Sequence, residues 1–138
     1  MAAFIPDSSA TLAWCFEDEA TPQTDALLDR LQMGDGALVP AHWPFEVGNV
    51  LIMAERRGRL LKTKREQFLQ QLRTLPIQID ADTVKEAFRR SLELAERHVL
   101  TVYDAAYLEL ALRSNSPLAT LDGQLRKAAR AEEVGLLL

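Results

Sequence analysis

Short apolar runs alternate with amphipathic stretches along the whole of this 138-residue chain. The runs fall at 3–5, 37–39, 77–79, 117–121 and 136–138, and helical spacing of apolar residues fills the gaps between them. Strands separated by helices cannot pair through tight hairpins. Their connections must be right-handed crossovers, and the product is a parallel sheet with helices on both faces.

Helix signals mark the segments between the runs. Ser8 and Ser9 are placed to cap a helix over 10–16. Thr21 caps and Pro22 opens one reaching 33, ended by Gly34-Asp35-Gly36. Pro44 opens a long helix to 57, closed by Gly58, and another spans 63–74. Asp82 or Thr83 caps a helix through 97, Thr101 caps one over 102–113, and a last helix covers 124–131. One α/β domain over residues 1–138 is expected, a three-layer α/β/α sandwich around a central parallel sheet of four to five short strands.

With 48% hydrophobic residues, 6 Gly and 6 Pro, the chain is neither disordered nor low in complexity. Cys15 is the single cysteine, which excludes a disulfide framework and a thiolate zinc cluster. The first residues lack a basic region and a long apolar run, so no secretory signal is expected, and a soluble, cytoplasmic protein without membrane contact is. The net charge of −4 argues against a basic nucleic-acid wrapper, but its distribution is uneven. Residues 1–46 hold eight of the 20 acids and one of the 16 bases, whereas Arg56, Arg57, Arg59, Lys62, Lys64 and Arg65 form an acid-free basic run. That run reads either as a solvated helix end or as a phosphate-contacting patch.

In folds of this class, functional groups collect outside the carboxyl ends of the strands. Four carboxylates occupy such turns: Asp7, Glu46, Asp104 and Asp122. Each has an ordinary reading as well. Asp7 sits among capping residues, Glu46 suits a first helical turn, and Asp122-Gly123 is a common turn pair. Asn49, three residues after Glu46, falls on nearly the same face and could orient that carboxylate. Asp104 is the sharpest signal, because residues 102–112 are apolar nearly all round and an ionised carboxylate there needs partners. Carboxylates converging on one edge repel one another unless a hard cation lies among them. Mg²⁺ and Mn²⁺ prefer oxygen ligands and commonly bridge to phosphate, which points to phosphodiester chemistry.

The stretches Ile5-Pro6-Asp7-Ser8-Ser9, Pro44-Phe45-Glu46-Val47-Gly48-Asn49-Val50-Leu51, Thr101-Val102-Tyr103-Asp104-Ala105-Ala106-Tyr107-Leu108 and Ala119-Thr120-Leu121-Asp122, in this order, resemble the PIN domain, specifically the VapC-type toxins of type II toxin–antitoxin systems. The similarity covers essentially the whole chain. It implies a PIN-like fold and a metal-dependent endoribonuclease acting on an RNA substrate, with Asp7, Glu46 and Asp104 as the acidic triad and Asp122 as the fourth acid holding Mg²⁺ or Mn²⁺. It also implies supporting positions for Ser9, Thr120 and Asn49, a homodimer, and a cognate antitoxin in the catalytic groove. Arg56, Arg57, Arg59 and Lys62 are the expected RNA contacts. Pro6 departs from the family pattern, which has an apolar β-former there, and removes one strand donor.

Other features are expected to be structural. Cys15 lies on an apolar helix face, His42 and His98 lack zinc-ligand spacing, and Trp14, Phe16, Trp43, Phe45 and Phe68 read as core or dimer-interface residues. No Gly-rich phosphate loop is present. Three alternatives to the toxin remain: a PIN-like nuclease of RNA processing with no antitoxin, a catalytically inactive dimeric binding domain, and a receiver-like module. The last needs an acidic pair after the first strand and a lysine after the last long one, and neither is supplied.

Overall fold

The apolar runs do pair as a parallel sheet. A computed structural model describes residues 3–138. It contains β1 (Ala3–Pro6), α1 (Ser8–Leu12), a 3₁₀ turn (Glu17–Glu19), α2 (Pro22–Gln32), β2 (Gly36–Val39), α3 (Trp43–Arg56), α4 (Lys62–Thr74), β3 (Ile77–Ile79), α5 (Thr83–Glu86), α6 (Arg90–His98), α7 (Val102–Ser114), β4 (Leu118–Ala119) and α8 (Gly123–Ala131). All four strands run parallel in the order β3-β2-β1-β4, so β1 is central and its end lies between those of β2 and β4.

Alternation along the strands covers both faces. Phe4 and Ala119 pack with Ala10, Leu27 and Leu31 on one side. Their neighbours Ile5 and Leu118 pack with Val47, Leu51, Leu94, Leu108 and Leu125 on the other. α7 is buried without a break from Ala105 to Ala111, as its all-round apolar sequence requires. Cys15, Phe16, Trp43 and Phe68 join the core, whereas Phe45 is 80% exposed. Among the described residues no helix is long and apolar enough to cross a membrane.

Several boundaries differ from the sequence expectation. β1 continues through Pro6 instead of stopping there. Ile5 and Asp7 donate to Pro117 and Ala119 of the β4 side, so the donor that Pro6 lacks falls on the β2 side, where pairing has already ended at Phe4. The first helix ends at Leu12, not 16, with tighter bonds from Trp14 N to Thr11 O and Cys15 N to Leu12 O. Its cap is Asp7, rather than Ser8 or Ser9. The helix expected over 83–97 is broken at Ala87–Arg89, where Arg89 leaves the helical region at φ −114°, ψ −103°. The strand expected over 117–121 is reduced to Leu118–Ala119, because the next two residues turn toward Asp7 and Ser9. The expected strand at 136–138 contributes one isolated bridge, in which Leu136 pairs with Leu118.

Candidate active site

The chain leaves β1 at Asp7, a residue only 4% exposed. Its Oδ1 accepts from Ser9 Oγ at 2.6 Å and from Ala10 N at 2.9 Å, which caps α1. Its Oδ2 accepts from Thr120 Oγ1, at the end of β4. The two supporting hydroxyls are themselves fixed: Leu121 N donates to Ser9 Oγ and Asp122 N donates to Thr120 Oγ1, each at 3.0 Å. The ends of β1 and β4 are thus tied together around one carboxylate. Burial pushes the Asp7 carboxyl up to about 6; hydrogen bonds from Ser9, Thr120 and Ala10 oppose this, and the charge of Asp104 adds to it.

The other acids arrive from three further elements. Glu46 lies in the first turn of α3, and its Oε1 accepts from Tyr107 Oη at 2.6 Å. His42 Nε2 stands 3.7 Å from the same oxygen and donates to the Tyr103 carbonyl at 3.0 Å. Asp104 is half-buried in the first turn of α7, behind the Thr101 cap. Burial first, and then the charges of Asp122 and Glu46, raise its carboxyl above the ordinary value. Asp122 is exposed and caps α8 by accepting from Leu125 N at 2.8 Å. Asp7 and Asp122 therefore fulfil their capping roles while sharing an electrostatic field with Asp104 and Glu46.

Of the supporting residues, Ser9 and Thr120 hold Asp7 directly. Asn49 is exposed, and the group that orients Glu46 is Tyr107 instead. Tyr107 is fully buried, and the sequence pattern marks it only as an apolar helix residue; its place one turn after Asp104 is the available signal. Burial and the Glu46 carboxylate both push its phenol far above the usual range, so it stays a donor. Arg56 lies ten residues beyond Glu46, about 15 Å along α3. Arg59 folds back to Asp18 and Glu19 at 3.0 Å and covers the Phe16 ring. Arg57 and Lys62 are exposed at that distant end.

Among the described residues, no three His, Cys, Asp or Glu side chains close round one point as a metal cage. The donor chemistry nonetheless fits a hard cation. The converging groups are carboxylates and hydroxyls, and Mg²⁺ keeps several waters and needs only one or two protein carboxylates. A cation there would also favour the ionised forms of Asp7 and Asp104 that burial and mutual repulsion now oppose.

Known proteins share this architecture. The PIN domain family matches residues 4–131. Ribonuclease VapC3 of Pyrobaculum aerophilum is 33% identical over 125 residues, 88% of this chain and 90% of the relative. The crystal structure of PAE2754, also from Pyrobaculum aerophilum, superposes with a TM-score of 0.70 at 21% identity, covering 99% of this chain and 84% of that one. VapBC2 of Rickettsia felis, solved bound to a promoter DNA fragment, gives 0.63 at 14% identity over 97% and 96%. The carboxylates at the strand ends thus stand in a familiar frame: the chain belongs to the PIN domain family, in its VapC branch.

Proposed function

We propose that this chain is a Mg²⁺- or Mn²⁺-dependent endoribonuclease and the toxin of a type II toxin–antitoxin pair. The observation that carries the reading is the buried Asp7, fixed by Ser9 and Thr120 and sharing its field with Asp104 at the carboxyl edge of the sheet. Kinship with a ribonuclease of the VapC type supports the substrate class, and a VapBC neighbour supports an antitoxin partner.

In this mechanism Asp7, Glu46 and Asp104 would hold the metal, with Asp122 as the fourth acid. Bound there, the metal would supply polarisation of a phosphoryl oxygen and a more acidic water for attack on phosphorus. The protein's share is positioning. Ser9, Thr120 and Ala10 N fix both oxygens of Asp7, and Tyr107 fixes Glu46 from the buried face of α7. The raised carboxyls of Asp7 and Asp104 must lose their protons before they can serve as ligands. A second copy of the chain is proposed to cover the apolar groove of about 330 Å³ between α3, α5 and α7, lined by Phe45, Val84, Val102 and Tyr103.

The test is an Asp104→Asn variant, in which the half-buried side chain keeps its shape. Purified variant should show an unchanged melting curve, no cleavage of RNA with Mg²⁺ or Mn²⁺, and no toxicity on induction. Full activity in that variant, or in wild-type protein with excess chelator, overturns the mechanism.

A further inference from the structure

The two flanks of the carboxylate edge differ in chemistry. Beyond α3 and the start of α7 lies the apolar groove of Phe45 and Tyr103. On the α8 side lies a groove of about 390 Å³ lined by Arg97, His98, Val99, Gln124, Lys127 and Ala128. It belongs to the same edge: Gln124 is two residues past Asp122, and Val99 begins the link from α6 to the Thr101 cap before Asp104.

α8 reads Gly-Gln-Leu-Arg-Lys-Ala-Ala-Arg-Ala, with three cations and no acid. Leu125, Ala128 and Ala129 turn to the core, and Lys127 and Arg130 are exposed. Neither has an ion-pair partner among the described residues. Glu132 beside this groove is already engaged, since Arg97 Nη1 and His98 Nε2 both donate to its Oε2, at 2.7 and 2.6 Å, and Glu93 adds its charge at Arg97. Lys127 and Arg130 stand about 7 Å and 12 Å of helix rise beyond the Asp122 cap. Along the exposed side of α8, Lys127 and Arg130 thus leave unpaired positive charge leading away from the acids, whereas the α6 cations Arg97 and His98 are paired with Glu132. The basic run at Arg56–Arg65 lacks that continuity, since Arg59 and Arg65 are paired with Asp18, Glu19 and Glu55.

Resting on the nuclease reading, we infer that the groove between α6 and α8, together with the exposed α8 surface beside it, is the track for the RNA backbone, with Lys127 in the groove and Arg130 next to it contacting phosphates on one side of the scissile bond. A single strand contributes this contact without base readout, through charge and counterion release.

The test uses the whole chain and a fluorescein-labelled single-stranded RNA. In the Asp104→Asn background, binding is followed by anisotropy across a salt series. Lys127→Ala with Arg130→Ala should flatten the slope of log affinity against log salt by about 1.4, some 0.7 for each lost phosphate contact on a single strand. With Asp104 restored, the double variant should raise KM and leave kcat unchanged, and Lys127→Arg with Arg130→Lys should restore KM. Both side chains are exposed, and a melting curve confirms the fold. An unchanged slope and KM in the double variant overturns the inference, as does a loss confined to Arg57→Ala with Lys62→Ala. If wild-type protein neither binds nor cleaves the RNA, the nuclease reading falls as well; if it cleaves and the α8 variant is unaffected, only the track is refuted.

Discussion

Asp7 places an electrostatic cost at the centre of the site. Its carboxyl stands near 6 in the fold against an ordinary value of 3.8, so between those limits the folded chain binds more protons than the unfolded one. Stability from this group is therefore greatest at low pH and declines as pH rises from about 4 to about 6; the full cost persists above that. Melting in the presence of chelator should show this decline, and Asp7→Asn, which cannot titrate, should remove it. Because the amide also loses one of the acceptors for Ser9, Ala10 and Thr120, the test is the pH dependence and not the absolute melting point. An Asp7→Asn variant whose stability falls between about pH 4 and pH 6 as steeply as wild type would contradict the assignment. Cation binding competes with the same proton, so the apparent Mg²⁺ affinity should weaken below about pH 6. Tyr107 supplies a second test. Tyr107→Phe preserves the buried shape but leaves Glu46 Oε1 without its donor, and metal affinity or kcat/KM should fall about 10- to 100-fold. The carboxylates were legible in the sequence because each follows a strand or opens a helix. Tyr107 was not, because the pattern that buries a tyrosine does not reveal what its hydroxyl meets 61 positions away.

α7 links the site to a second polar cluster at its other end. Arg113 donates to Asp80 through Nη1 and Nη2 at 2.9 and 2.6 Å, and to Glu109 through Nε at 2.8 Å. Asp80 and Glu109 are buried, and Asp80 also accepts from Thr83 Oγ1 at 2.7 Å. Thr83 Oγ1 in turn accepts from Ala41 N, in the turn that delivers His42 and Glu46. Removing the shared cation strands two buried acids, so Arg113→Met should cost about 3–5 kcal/mol in denaturant unfolding. A loss below about 1 kcal/mol would show that water already screens the cluster. The Asp80 carboxyl is held below its ordinary value, chiefly by Arg113. Its contribution is therefore present above the ordinary carboxylate range and is lost as pH falls through its folded pKa. Helix capping at Thr21 and Thr101 was readable because both bonds are local. Two features were not. The break between α5 and α6 carries no glycine or proline, and β4 ends early because Thr120 and Leu121 bond across to Asp7 and Ser9, 113 and 112 positions away.

The whole molecule separates three kinds of surface around one sheet edge, and this separation decides where partners can sit. The acids of residues 1–46 include Asp7 and Glu46, so part of the net −4 belongs to the carboxylate cluster. On one side, the uncompensated cations of α8 favour a polyanion. On the other, Phe45 and Val84 are 80% and 78% exposed, and Phe88, next to the groove residue Ala87, is 90% exposed. Large side chains left in water at this density fit the second copy proposed for this groove, since a two-fold interface presents the same patch to itself. Val84 lies in this groove and outside the carboxylate set, so Val84→Glu introduces a charge that would have to be desolvated in a dimer. In sedimentation velocity, wild-type protein should sediment as a dimer and Val84→Glu as a monomer. The monomer should still cleave RNA at the wild-type rate per protomer, because Asp7, Glu46, Asp104 and Asp122 are brought together within one chain. Wild-type protein that remains monomeric at high concentration would remove the second copy as the occupant. Loss of cleavage together with dimerisation would instead mean that the groove orders the first turns of α3 and α7, where Glu46 and Asp104 reside.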